Sequence, residues 1–346
     1  MFYGCNVSCN QLPTSSNGDW SALIQRFSPH SYSIIYKRKE EGRFLPDFRS
    51  RLEVGVSSPK MMKLRVSAVQ YHLHTINSFE EFANQVEHYI KTAQEFDADF
   101  VLFPEFFTTQ LMSIGNEQGQ PLTIQELPDF TEQYRSLFIN LAKKTKMHII
   151  GGTHVIRKGD RLYNVAHLFY PDGRVAEQAK LHITPTEVKE WNMSPGDGLQ
   201  VFETEKGTIA MLTCYDIEFP EIVRIAKAKG ADVIFCPSCT DDRHGFHRVR
   251  YTSHARAIEN QVYVVTTGTV GSLPTVDFMR ANFGQAAVIT PNDIPFPPRG
   301  ILVEGEINHD MVVTADLDLE LLYQVRESGS VTTWRDRRTD LYPDWK

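Results

Sequence analysis

The chain has 346 residues, 41% of them hydrophobic and 23% charged, with a formal net charge of −7 and a pI near 6.0. That acidic balance argues against a nucleic-acid or other polyanionic partner. No stretch reaches 18 consecutive apolar residues, so no transmembrane helix is expected. The five cysteines, Cys5, Cys9, Cys214, Cys236 and Cys239, are too few and odd in number for a disulfide framework. They point to a reducing compartment.

Residues 1–61 read as an N-terminal extension. They are rich in Ser and Asn, and up to Lys39 their only acidic residue is Asp19. No h-region of a secretory signal is present. A cytoplasmic protein is expected, or an organelle-matrix protein if residues 1–60 act as a transit peptide. Met61 or Met62 then stands at the start of the fold proper, which is expected over residues 62–330. Residues 331–346 form a tail carrying Trp334, Tyr342 and Trp345. Docking on a partner subunit and docking on its own domain both stay open for these aromatics.

From Lys63 onward strands and helices alternate. Leu64 to Val69 reads as a strand. Ser78 and Glu81 form a capping box ahead of Phe79, Phe82, Val86, Tyr89, Ile90 and Ala93 at helical spacing. Asp99 to Phe103 is a short apolar strand. A helix is predicted from Asp129 to Thr145 and a strand from His148 to Gly151. Pro171-Asp172-Gly173 is a turn signal, so Arg161–Tyr170 and Arg174–Lys180 read as a hairpin. Gly207 to Thr213 is an apolar strand that ends at Cys214, followed by a helix near Pro220–Lys229. A strand Ala231–Cys236, a helix Phe246–Asn260, strands Val262–Thr267, Gln285–Thr290 and Met311–Asp316, and a helix near Leu317–Glu327 complete the pattern. Gly151-Gly152 and the Gly268–Gly271 stretch lack phosphate-loop spacing and read as loops. Sheets covered by helices, hence an α/β fold, follow from this order.

Three reactive groups sit at predicted strand ends. Glu105 closes Phe100-Val-Leu-Phe-Pro104 and precedes Phe106-Phe107. A carboxyl among aromatics is costly to ionise, so its pKa should rise towards the range of a general base or acid. Lys180 can act as a fixed cation that stabilises an oxyanion and lowers the pKa of a nearby thiol. Cys214, taken alone, reads as a small buried hydrophobe.

Leu-Phe-Pro-Glu105, Lys180-Leu-His with Pro185 and Glu187, and Thr-Cys214-Tyr-Asp with Phe-Pro-Glu221 resemble the three motifs of the nitrilase (carbon–nitrogen hydrolase) superfamily. Their order and spacing fit as well, and Leu162-Tyr-Asn164, Tyr170-Pro-Asp-Gly173 and Ala255-Arg-Ala-Ile-Glu-Asn260 are secondary matches. The resemblance implies a nitrilase-like α-β-β-α sandwich that forms a larger αββα–αββα assembly as a homodimer or higher homo-oligomer. It implies Cys214 as nucleophile, Glu105 as general base, Lys180 and the backbone N–H of Tyr215 as oxyanion donors, and Glu187 as a supporting residue. Phe106, Trp191, Cys239 and Thr240 are pocket candidates. Tyr215-Asp216, where nitrilases of the superfamily usually carry Trp-Glu, points to the amidase and carbamoyl-hydrolase branches. The expected activity is ammonia release from a small carboxamide through a cysteine thioester. A nitrilase, an N-carbamoyl hydrolase and a catalytically silent interaction protein on the same fold are the alternatives.

Two other signals carry less. Cys236-Pro-Ser-Cys239 has the form of a redox or zinc motif but lacks a second pair at zinc spacing. Asp241, Asp242, His244, His247 and His254 form a polar cluster that reads as a helix start near the site mouth. No cofactor and no metal are required. The partner is a small-molecule amide, with no membrane and no nucleic acid.

Overall fold

The computed structural model describes residues 20–28, 31–38, 63–116 and 118–342. The chain divides into two units, Met1–Pro59 and Lys60–Lys346. In the first, β1 (Trp20–Ser28) pairs antiparallel with β2 (Ser31–Arg38). Most of the expected N-terminal extension, with Cys5 and Cys9, lies outside the described residues, as does Trp345.

The second unit is a mixed α/β sandwich. Its sheet path runs β7 (Val175–Ala179), β6 (Arg161–Phe169), β5 (His148–Lys158), β4 (Phe100–Leu102), β3 (Lys63–Leu73), then β11 (Tyr263–Gly271), β10 (Val233–Ser238), β9 (Gly207–Met211) and β8 (Phe202–Thr204). Off this path, β12 (Ala287–Ile289) joins β11, β13 (Ile301–Glu304) joins β12, and β14 (Met311–Asp318) runs antiparallel along β3. The crossing from β3 to β11 involves only Tyr71–Leu73 and Thr269–Gly271. The path therefore folds into two facing halves.

The period-2 alternation of side chains sorts residues into layers. From β4, Phe100 and Leu102 point into the core between the halves, where they meet Phe235 and Val233 of β10. Val101 points the other way, towards α1 (Phe79–Glu95) and α2 (Thr131–Thr145), among Phe82, Val86, Ile90 and Phe138. On the far side Ala210, Ile234 and Val264 pack against α4 (Pro220–Ala228) and α5 (Arg243–Asn260). The strands read as apolar runs because both of their faces are buried. The expected Ser78 cap is in place, with its side chain accepting from the Glu81 N–H at 3.2 Å.

Gly151 and Gly152 are not a loop. They lie inside β5, where the register against β6 shifts between Ile150 and Thr153. Gly268 and Gly271 likewise belong to β11. Gly152 has φ +60°, and a Cβ there would collide with the Pro104 carbonyl oxygen and the Phe107 ring. The bulge lets Thr153 reach the turn after β4. Its N–H donates to Pro104 O at 3.3 Å, and its Oγ1 accepts from the Phe106 N–H at 3.0 Å. Glu105 sits between those two anchors. Gly152→Ala should therefore destabilise the fold by at least about 2 kcal/mol, because it combines left-handed strain with a backbone clash. Chemical denaturation would check this.

The first part of the tail docks on its own unit. The Arg337 guanidinium stacks 3.6 Å from the Trp334 ring centroid, Lys227 of α4 lies 5.8 Å from it, and Thr333 donates to Ile258 O of α5 at 2.8 Å. The last helix, α6 (Leu319–Ser328), precedes this tail. No helix among the described residues is long and apolar enough to cross a membrane.

Candidate active site

β4, β7, β9 and β10 run in the same direction through the parallel and antiparallel pairings of the sheet path. Glu105, Lys180, Cys214 and Cys239 each lie one to three residues beyond their carboxyl ends. Open α/β sheets bind ligands at this edge. The four residues line one cavity of about 560 Å³. Glu187, Tyr215, Phe106, Trp191 and Thr240 share its wall, so the catalytic, supporting and pocket candidates line the same cavity.

Lys180 is the hub. Its ammonium lies 2.8 Å from Glu105 Oε1 and 2.8 Å from Glu187 Oε2, and all three side chains are buried. Glu187 is brought there by α3 (Pro185–Lys189). Thr184 caps this single turn, accepting from the Glu187 N–H at 3.3 Å while its own N–H donates to Glu187 Oε2 at 2.9 Å. Asn164 of β6 spans both carboxylates from one Nδ2, at 2.9 Å from Glu105 Oε1 and 3.0 Å from Glu187 Oε1. The other Glu105 oxygen accepts from the Cys239 N–H at 3.0 Å.

Cys214 is the first residue of a 3-10 turn, Cys214–Glu218, rather than of a helix, and it adopts φ +48°. That left-handed conformation costs a non-glycine residue roughly 1–2 kcal/mol. Asp216 holds the turn. Its fully buried carboxylate accepts from the N–H groups of Thr213, Leu181 and His182 and lies 2.8 Å from His182 Nδ1. One side chain thus ties the Lys180 segment to the Cys214 turn. A first helical turn leaves N–H groups without intrahelical acceptors, and Tyr215 supplies one beside the thiol.

Burial pushes the Glu105 carboxyl above the ordinary carboxylate range, with Lys180 opposing and Glu187 adding to the rise. Burial acts on Glu187 in the same sense, but Lys180 and the donors from Asn164 and Thr184 outweigh it and hold Glu187 low. Burial would lower Lys180, yet its two carboxylates keep it well above its usual value. Burial and then the Glu105 charge push the Cys214 thiol well above the ordinary thiol range, with Lys180 opposing. Lys180 does lower the thiol pKa as expected, but burial and the Glu105 charge outweigh it. At rest the sulfur is a thiol facing a base.

Cys236 is buried in β10, and burial pushes its thiol to about 12. Cys239 faces Thr269 and Asn282 instead of a second thiol. Asp242 of the polar cluster caps α5, accepting from the Gly245 N–H at 2.7 Å, and His247 stacks on Tyr251. Among the described residues no group of His, Cys, Asp and Glu has the arrangement of a metal site. Trp191 stands edge-on to Phe106, at 5.5 Å between centroids, and packs on Phe278. Sequence reasoning gave Asn164 and Asp216 no place in the site. Their signal was present only as members of the Leu-Tyr-Asn and Cys-Tyr-Asp motifs.

The carbon–nitrogen hydrolase family model matches residues 65–327. The probable hydrolase YhcX of Bacillus subtilis is 49% identical over 279 residues, covering 81% of this chain; the chain spans 54% of that protein's length. The omega-amidase NIT2 of Xenopus tropicalis is 28% identical over 297 residues, covering 82% of this chain and 98% of that protein. Among solved structures, Saccharomyces cerevisiae Nit3, a member of branch 10 of the nitrilase superfamily, aligns with a TM-score of 0.65 at 24% identity, over 80% of this chain and 97% of its own. The family match spans the strands that carry Glu105, Lys180 and Cys214, and this chain belongs to the carbon–nitrogen hydrolase family.

Proposed function

We propose that the protein is an amidase that releases ammonia from a small carboxamide through a thioester on Cys214. The observation that carries this reading is the Glu105–Lys180–Glu187 ion cluster, buried on the wall of a cavity into which the Cys214 thiol opens. Glu105 takes the thiol proton as sulfur attacks the carbonyl carbon. A lysine ammonium has three donors. Two are engaged by Glu105 and Glu187, which leaves the third, with the Tyr215 N–H, for the oxyanion. Collapse of the tetrahedral intermediate breaks the C–N bond as Glu105 returns the proton to nitrogen, and ammonia leaves. Water then gives a proton to Glu105 and attacks the thioester. Cleavage of the C–S bond frees the acid, and the proton returns to sulfur. Phe106, Trp191, Cys239 and Thr240 shape the acyl pocket.

The omega-amidase relatives and the Tyr215-Asp216 dipeptide support amides over nitriles. Ammonia release from matched carboxamide, nitrile and N-carbamoyl series decides it. Amides are expected to be the best substrates, and turnover of nitriles alone would overturn the choice.

Because Glu105 must be ionised to accept the thiol proton, kcat/KM should rise with pH through its elevated pKa. Asn164 donates to the charged form of Glu105, and removing it raises that pKa further. Asn164→Ala should therefore move the acid limb to higher pH, whereas damage to packing alone would lower the plateau without moving the limb.

Assembly as a homodimer or larger homo-oligomer is part of the same reading. The exposed Ile225 of α4 and Tyr251 of α5 support it as apolar side chains on the outer helix layer. Sedimentation equilibrium tests it.

A further inference from the structure

The cavity carries an excess of negative charge that the proposed chemistry does not use. Four carboxylates line it, Glu105, Glu187, Glu218 and Asp241, against two cations, Lys180 and Arg248. Lys180 is committed to Glu105 and Glu187. Glu218 pairs with Arg248, and Asp241 lines the same cavity.

Glu218 is built into the reaction site. It ends the same 3-10 turn that Cys214 begins, so its position is rigidly coupled to the thiol. The Arg256 guanidinium fixes this end of the turn, donating to Ile217 O at 3.0 Å and to Glu218 O at 2.8 Å. The Glu218 side chain is 16% exposed, and its one ion partner among the described residues is Arg248, at 3.3 Å through Nε. Arg248 is 61% exposed. Only the Arg248 end of this pair is solvated, so the arginine can return to water and leave the held carboxylate to another cation. Phe106, Trp191 and Phe278 supply an apolar wall for a short hydrocarbon stem.

We infer that Glu218 selects the substrate, and that the favoured substrates are small carboxamides whose far end carries an ammonium or similar cation. The substrate cation displaces Arg248 and pairs with Glu218, with Asp241 adding to the attraction. An acyl chain ending in carboxylate meets the two acidic groups instead. This rests on the amidase reading above.

The test compares three amides with the same four-methylene stem: 5-aminopentanamide, hexanamide and the monoamide of adipic acid. In the wild type kcat/KM should fall in that order, with the cationic amide about 10- to 100-fold above the neutral one. Glu218→Gln should collapse the cationic-to-neutral ratio to near unity, and Arg248→Gln should raise it. Because each readout is a ratio within one protein, partial misfolding cancels. A charge-blind wild type, a ratio unmoved by Glu218→Gln, or a preference for the carboxylate that Arg248→Gln removes would each overturn the inference. If none of the three is hydrolysed, the amidase reading fails and selection is read from binding. Pentylammonium should then slow iodoacetamide alkylation of Cys214 while hexanoate does not, and the reverse result overturns the subsite.

Discussion

Lys180→Ala is expected to damage activity and stability together. The variant loses a donor to the oxyanion, which lowers kcat by about 10²- to 10³-fold. A strand-end lysine that only faced water could be removed at little cost to the fold. Lys180 is, however, the cation between two buried carboxylates, and removing one partner of a buried ion cluster costs about 3–5 kcal/mol. Part of that cost is relieved by protonating Glu187, so the variant should lose less stability at low pH. Glu187 is held below its ordinary pKa in the intact site. Its contribution to wild-type stability is present above the unfolded pKa and is lost as pH falls through the folded one. Adding Glu187→Gln to Lys180→Ala should recover stability without recovering turnover. Denaturant melts at two pH values, run beside ammonia assays, separate the two effects.

Cys214→Ala should abolish turnover, by at least about 10⁴-fold, because no other group in the cavity faces Glu105 as a nucleophile. Its stability should change little. The sulfur is small, and its hydrogen-bond contact, to Cys239 O, is long at 3.9 Å. Cys214→Gly should be equally inactive yet more stable than the alanine variant by about 1 kcal/mol, since glycine adopts φ +48° without strain. If alanine and glycine melt alike, the turn is relaxed by other means.

These two residues show what could be read along the chain and what could not. Glu105 and Cys214 stand at the ends of apolar runs and Lys180 at the end of a mixed hairpin strand, and the alternation of strand and helix periods is local. Their convergence on one sheet edge followed from motif order. The direction of the thiol pKa did not follow, because burial and the Glu105 charge outweigh Lys180 once the chain is folded. Glu187 and Asn164 complete the ion cluster from α3 and β6. Asn164 serves two carboxylates through one amide, a relation that no single segment encodes. Gly151-Gly152 looked like a loop because paired glycines usually break a strand. Here the pair makes a bulge whose purpose is visible only with Pro104 and Phe107 beside it. β13 (Ile301–Glu304) is not among the expected strands; it begins three residues after Pro298 in a proline-rich segment and pairs with β12. The helix expected to start at Phe246 begins at Arg243, because Asp242 caps it.

Turnover by the proposed route requires Cys214 to carry the acyl group. Acid-quenching the enzyme during turnover of a carboxamide and mapping its peptides by mass spectrometry detects that group. An acyl mass on the Cys214 peptide that hydroxylamine removes is expected, with a burst of ammonia equal to the labelled fraction. Steady ammonia release with Cys214 unmodified under conditions where deacylation is slow, or label on Cys239 instead, would contradict it.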